Sequence, residues 1–526
     1  MTLITSETAL KPSSSRRWLK RFGWGLLWLF TLAILVIEIV NWRGRVAWKT
    51  YVASLEAKGE RLDLDAIIPP PVPDAENFAE APLFKPLFDY GSEDGSVIPK
   101  DPDERVDWIA KQIHAGRSLR NEKAVKALED MKVRPMPKPG AVGNWRSGIP
   151  EDLDALADAY RKDSTYPHPS ETSTSAETVL TALTKFDQIY AGFREACARP
   201  KSRFPLCYEA GVAMPVRQGR PLVNLAQLAR CRALAELSLG NADSAFQDVC
   251  MILRSADAIQ GEPVLISLLV RVVLIEIACQ PLWEGMARHQ WSDAQLVEME
   301  GRLGQINLAA HYRLAIRGER ITFLSSLDLM RRHPSEIRTL FSTASTNEPQ
   351  SILGGPLAGY LASGWWDQNK ATMGYVYESV LGSVDAHAGR FFPDRITGAT
   401  IPNSSVFTQI SVPVFVDTED RCAFTQGNIN MGRIAVALER HWLKHGSYPT
   451  NLESLDPEVK PAGTSLPADP ATGRAVHYIL SDSGFLLYCD GWNQKDDGGK
   501  IVWRDSKIGR VDPMQGDWVW PGSIAH

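Results

Sequence analysis

One run of residues limits what this chain can become. From Phe22 to Trp42 the sequence is almost wholly apolar, with Arg21 before it and Arg43 after it. At about 1.5 Å of rise per residue, a helix of that length just crosses a hydrocarbon core of about 30 Å. Trp24, Trp28 and Trp42 fall where a membrane helix carries interfacial aromatic anchors, and Glu38, the one charged residue inside, lies near enough to the exit to reach the headgroups. Lys11, Arg16, Arg17, Lys20 and Arg21 precede the run, while Arg43, Arg45 and Lys49 follow it. That bias predicts a basic cytoplasmic tail over residues 1–21, one span over 22–42 and the bulk of the chain on the far side of the membrane. A cleaved signal peptide has a shorter apolar region, about 7–15 residues, and small residues at the cut. Glu38-Ile-Val-Asn-Trp-Arg-Gly-Arg45 follows here instead, so the run reads as an uncleaved signal anchor.

At 526 residues the chain exceeds one ordinary core, and 44% hydrophobic with 23% charged residues are globular proportions. A net charge of −5 argues against a dedicated nucleic-acid binder. Seven cysteines show neither a CxxC pair nor zinc-type spacing. Cys197 and Cys207 flank a loop-like stretch and are the candidate disulfide in an oxidising compartment, with two separate thiols as the alternative. Cys231, Cys250 and Cys279 sit in apolar helical settings and read as buried thiols.

Beyond the span, Val46 to Leu64 has helical character and is stopped by Ile68-Pro-Pro-Pro-Val-Pro73, a stiff spacer. Residues 43–175 form a helical, proline-rich juxtamembrane region, with helical spacing from Pro102 to Met131, a breaker at Pro135–Gly140 and a short helix from Pro150 to Tyr160. Residues 176–424 read as a helical domain. Leu222–Leu239 and Ala242–Ala258 make a helix pair about Gly240-Asn241, and Ala233–Asp248 resembles the middle of a tetratricopeptide repeat. A single copy does not make a solenoid. Leu265–Cys279 is long and apolar but holds Arg271 and Glu276, which favours a central bundle helix over a second span. Ser292 and Gln295 form a capping box for the next helix. Helical pieces are expected near Ala309–Arg332, Pro334–Thr343 and Lys370–Ala388, interrupted at Leu353–Pro356, and Phe391–Val416 reads as irregular or partly extended.

The tail, residues 425–526, opens with a helix from about Thr425 to His445, its Met431, Ile434, Leu438 and Trp442 on one face and Gly446 as its stop. Val476–Leu480 and Phe485–Cys489 alternate as strands of a hairpin, Ile501–Trp503 offers another strand, and Asp490-Gly-Trp-Asn-Gln-Lys-Asp-Asp-Gly-Gly499 is an acidic glycine loop. This order of helix, Gly446-Ser-Tyr-Pro449 turn, Leu452-Glu-Ser-Leu455, Asp469-Pro470 turn, hairpin and loop resembles the globular half of a bacterial type II secretion pseudopilin, such as the major pseudopilin. Similar tails occur on large bacterial membrane-anchored proteins. The resemblance implies a small α+β head and an inner-membrane protein facing the periplasm or cell exterior. In that family the loop often holds calcium, which makes Asp490, Asn493, Asp496 and Asp497 candidate ligands; a solvated acidic turn is the alternative. The pseudopilin leader, a glycine followed by Phe-Thr-Leu-Ile-Glu, is not matched by Leu29-Phe-Thr-Leu-Ala-Ile34, so incorporation into a fibre is not expected.

No Walker loop, GxSxG, HExxH or dinucleotide fingerprint is present. His441 and His445 stand at i, i+4 with no further ligand apparent, and His387 lies near Arg390, Asp394 and Arg395 in what reads as a polar cluster. The expectation is a mainly α protein: a transmembrane helix, a large helical bundle with one tetratricopeptide-like pair, and a small pseudopilin-like α+β domain. A structural or protein-interaction role in the envelope, linked to secretion or envelope assembly and without an identifiable reaction, is the functional expectation. The partners would be the membrane and envelope or secretion proteins, not nucleic acid. An extracytoplasmic enzyme with its site between bundle and tail, and a peptide-binding helical scaffold, are the alternatives.

Overall fold

The computed structural model describes residues 14–524 except 92–97, 100, 102–103, 106–107, 110, 113–121, 134, 136–142, 171, 333–362, 396–405, 462–464, 483 and 506–509. The described protein is 61% helical and 9% strand. The expected pieces at Pro334–Thr343 and Leu353–Pro356, most of the Pro135–Gly140 breaker, most of the basic tail and part of Pro102–Met131 lie outside these residues. The chain divides into two compact units, one of residues 1–61 with 327–375, the other of residues 62–326 with 376–526.

In the first unit the apolar run is the body of one long helix, α1 (Ser14–Ala57). From Arg21 onward it is long and apolar enough to cross a membrane, and its most apolar window buries nothing against protein. The helical stretch expected from Val46 to Leu64 is its continuation, which ends at Ala57. Its second half meets the start of a helix beginning at Ser363. Asn41 Oδ1 accepts from both Ser363 Oγ and the Gly364 amide at 2.9 Å. One turn on, Gly44 faces Gly364 so closely that a Cβ on Gly44 would sit 2.0 Å from the Gly364 carbonyl oxygen. Paired small residues of this kind let two helix backbones touch. Tyr51 then lies buried over Gly374 and edge-on to Tyr375, ring centroids 5.1 Å apart. Lys370 Nζ reaches Asp328 at 2.8 Å while resting 4.0 Å over the Trp48 ring.

The second unit begins with extended chain and short 3-10 turns around Phe78, Phe84 and Phe204, whose rings pack at 4.9–6.1 Å. Its helices are α2 (Glu122–Asp130), α3 (Leu153–Lys162), α4 (Ser175–Leu183), α5 (Asp187–Cys197), α6 (Gly219–Ser238), α7 (Ala242–Asp257), α8 (Leu265–Ala287), α9 (Asp293–Gly304) and α10 (Leu308–Arg332). The first unit's helix that starts at Ser363 is α11 (Ser363–Leu381), and α12 (Val406–His445) follows. The α6–α7 pair turns at Gly240, whose φ of +78° is the left-handed geometry glycine tolerates. The capping box at Ser292 and Gln295 forms as expected.

The most apolar internal segment, α8, is the bundle's central helix, with 72% of its apolar window buried. Ser267 and Arg271 face Glu262, Gln260 and Asp257, while three polar side chains further along meet the docked loop 145–151. Gln280 Oε1 accepts from the Trp145 amide at 2.9 Å, and Glu284 Oε1 from the Glu151 amide at 2.8 Å. Glu151 in turn pairs with buried Arg230. One turn earlier on α8, Glu276 pairs with Arg146 and accepts from Thr425 Oγ1 and Asn428 Nδ2 of α12, both at 2.9 Å.

The C-terminal strands are β3 (His477–Ser481), β4 (Gly484–Cys489), β5 (Ile501–Asp505), β6 (Arg510–Gly516) and β7 (Trp518–Pro521), after a two-residue pair β1 (Val384–Asp385) and β2 (Arg390–Phe391). The main sheet has the order β3-β4-β7, all antiparallel, and the expected strand at Ile501 joins β6 in a separate hairpin instead. The tail is therefore α+β, helix α12 on a small antiparallel sheet. Two expectations change. Residues 406–416 are helical, not irregular, and α12 runs straight through the expected boundary at 424/425, with the tail in the same compact unit as the bundle. The joint is aromatic. Trp518 packs into the notch left by Gly427, where a Cβ would lie 2.6 Å from its ring, and Trp520 lies over Gly432 and 4.6 Å from the Trp145 ring. The Trp283 indole of α8 donates to the Pro521 carbonyl at 2.7 Å.

Two substitutions probe this joint by chemical denaturation of the detergent-solubilised protein followed by circular dichroism. Gly427→Leu is expected to lower stability by about 1–3 kcal/mol through overpacking against Trp518. Glu276→Ala, which strands Arg146, is expected to cost about 3 kcal/mol, and Glu276→Gln clearly less.

Candidate functional site

The acidic glycine loop is built by carboxylates that the protein buries. Asp469, in the Asp-Pro turn, accepts from the Ala471 amide at 2.8 Å and from the Gly491 amide at 3.2 Å, tying the turn to the start of the loop. Asp517, at the start of β7, accepts from the Asp497 amide and, at 2.6 Å, from the Gly499 amide, tying down its end. Gly491, Gly498 and Gly499 carry φ of +71°, +73° and +80°, which explains the glycines.

Within this frame the four candidate calcium ligands separate. Buried Asp490 gives one oxygen to His477 Nε2 and the other to Arg474 Nη1, each at 2.8 Å. Asp496 lies beside them, with ligand atoms of His477, Asp490 and Asp496 within 4.8 Å of one another. Asn493 and Asp497 instead pair with each other at 2.9 Å, and Asn493 Oδ1 caps the Lys495 amide. Calcium takes six to eight oxygens. The four therefore do not converge on one point: Asp490 and Asp496 meet an imidazole and a guanidinium, and Asn493 with Asp497 forms an Asx-type turn.

A second feature is an open cavity of about 490 Å³ lined by Arg313, Val384, Asp385, Ala386, His387, Phe392 and Arg395. The short β1–β2 turn positions it: Asp385 Oδ1 accepts from the His387 and Ala388 amides at 2.9 Å, bonds that hold its carboxyl below the usual range. Arg395 lies 3.9 Å over the Phe392 ring and donates to the Gly382 carbonyl. Of the polar cluster expected around His387, Arg395 is brought to it. Arg390 is turned over the other side of Phe392 at 5.1 Å, and Asp394 accepts from Gln494. Arg313, from α10, completes the lining and had no sequence signal. Two guanidiniums and an imidazole around one opening suit a carboxylate or phosphate group.

The expected disulfide between Cys197 and Cys207 is not formed. Both are free thiols facing different neighbours: Cys197 Sγ lies 3.7 Å from the Met251 carbonyl, and Cys207 Sγ 3.6 Å from Glu209. Cys197 closes α5 against α7, whereas Cys207 packs with Ile109 and Ala210. Burial pushes both thiols up to about 12.

Several buried acids lie outside the lining of that cavity. Burial raises Glu262 to about 8 against the hydrogen bonds it accepts from Ser267 and Gln218, and raises Glu419 to about 8 and Asp420 to about 7. His311, whose Nε2 lies 3.1 Å from the Glu262 carbonyl, is lowered by burial to about 3.

Compared with protein-family models, with curated proteins and with solved structures, the chain matches none.

A raised folded pKa contributes stability that is whole below the unfolded value and is lost as pH rises through the folded one. Glu262, Glu419 and Asp420 therefore make the melting temperature fall as pH rises from about 4.5 to about 8. In Glu262→Gln that fall is expected to be smaller, measured by thermal melts across this range. Millimolar calcium is expected to leave the wild-type melting temperature unchanged.

Proposed function

We propose that this chain is a single-pass protein of a bacterial envelope, its short basic tail in the cytoplasm and its bulk in the periplasm or outside the cell, with a structural or protein-interaction role in secretion or envelope assembly. The observation that carries this reading is the way α1 is used. Its apolar first part is exposed along its whole length, yet the same unbroken helix is locked into folded structure by Asn41, Gly44, Trp48 and Tyr51. An anchor that is part of a packed unit holds that unit at a set height above the bilayer, which suits a scaffold better than a tethered enzyme. The helix-on-sheet tail supports the pseudopilin-like head, and fold analogy is all that ties it to secretion.

A specific observation favours a second reading, ligand binding or catalysis by the extracytoplasmic part: the cavity of Arg313, His387 and Arg395. Its occupant would carry a carboxylate or phosphate.

The first reading is tested in membranes. The protein is expected to resist alkaline carbonate extraction, and a C-terminal tag, not an N-terminal one, to be open to protease added outside the inner membrane. Crosslinking followed by affinity capture is expected to recover envelope or secretion components, and their consistent absence would remove the secretion link. Gly364→Leu, which drives a side chain into the Val40 carbonyl, is expected to leave membrane insertion intact while making the first unit protease-sensitive.

A further inference from the structure

Outside the sites above, the end of α12 carries a cluster that its helix alone does not complete. His441 and His445 lie one turn apart, ring centroids 4.3 Å apart, on the last turn before Gly446, whose φ of +70° ends the helix. The chain then doubles back. Asn451 caps a 3-10 turn over Leu452–Ser454, and Leu452, Leu455 and Val459 are buried, which returns the intervening Asp456 to the helix it has just left. There Asp456 Oδ2 meets His445 Nε2 at 2.8 Å. Ligand atoms of His441, His445 and Asp456 all lie within 4.8 Å of one another. His441 is 9% exposed, and its Nδ1 is buried with no hydrogen-bond partner.

We propose that His441, His445 and Asp456 bind a divalent transition-metal ion of the zinc class, clamping the end of α12 to the segment that follows it. Two imidazoles at i, i+4 with one carboxylate are a donor set for zinc and its neighbours and not for calcium or magnesium, which take oxygen. Three protein ligands leave a fourth position for water. Zinc ligands lie about 2.0–2.2 Å from the ion and about 3.3–3.6 Å from one another, so His445 and Asp456 exchange their 2.8 Å hydrogen bond for bonds to the ion and open slightly around it. A ligand must be deprotonated, so binding releases a proton wherever a ligand holds one. A buried imidazole nitrogen without a partner is costly, and a metal bond at this histidine fixes the tautomer that nitrogen must adopt. Lys444 competes: its Nζ lies 3.0 Å from Asp456 Oδ2 and 2.5 Å from Glu458 Oε1, and on metal binding it keeps Glu458.

The test uses the full chain in detergent, stripped of metal and titrated with zinc, and with cobalt as a spectroscopic probe. One equivalent of zinc is expected to bind and raise the melting temperature, and cobalt to give the visible absorption of a tetrahedral site. His445→Gln and Asp456→Asn, both at solvent-accessible positions, are expected to weaken binding by more than about 100-fold, the upper range for losing a mere supporting group. Their metal-free melting temperatures should stay at the wild-type value, which separates ligand loss from misfolding. Lys444→Gln is expected to tighten binding by freeing Asp456. Failure of the wild type to bind stoichiometrically overturns the proposal. So does equal binding by the two ligand variants, or loss of binding in His477→Asn, which would move the ion to the acidic loop.

Discussion

The second unit depends on how a charged side chain is accommodated on an otherwise apolar helix. Glu276 projects from α8 and is met from one side by Arg146 and from the other by Thr425 and Asn428. Arg146 is held flat between aromatic rings, 4.4 Å from Trp145 and 4.9 Å from Phe424. Those rings carry the contact outward, Trp145 to Trp520 and Phe424 to Trp518, so a single ion pair sits beneath the whole C-terminal sheet. Such a pair adds little net stability by itself, because desolvation offsets most of its attraction. What it supplies is register: only one placement of loop, helix and sheet satisfies every partner at once.

The same logic explains why bundle and tail share one compact unit. A small sheet is stable only with an apolar face to bury or a helix to pack against. Here its edge strand β7 presses two tryptophans into glycine notches on a helix that also belongs to the bundle. The long α12 is the common wall, and removing either side would expose its other face.

Much of this was legible in sequence where local chemistry and packing agree. The long apolar helix, the turn at Gly240, the Ser292 capping box, the buried α8 and the stop at Gly446 each carry a strong local signal and form as expected. The failures have physical causes. Val406-Phe-Thr-Gln-Ile-Ser-Val-Pro-Val-Phe-Val416 is rich in β-branched residues and contains a proline, so its propensity argues against the helix it forms. The calcium set shared a loop but not a direction, since adjacent loop residues point to different partners. For the histidine pair, sequence showed two imidazoles at helical spacing, while Asp456 comes beside them through a reversal carried by buried Leu452 and Leu455, which no spacing rule encodes. Arg313 reaches its cavity from a helix distant in sequence for the same reason.

The glycine crossing of α1 and α11 has a mechanical meaning. Two backbones in direct contact, keyed by Asn41 into the first turn of the partner, can neither slide nor rotate without a collision. In a bilayer, the lipid then has no say in how far the span protrudes. Any mismatch between its apolar length and the local membrane thickness has to be taken up by tilt or by deformation of the lipid itself. A helix held this way would act in a membrane as a fixed-length post, with the lipid doing the adjusting.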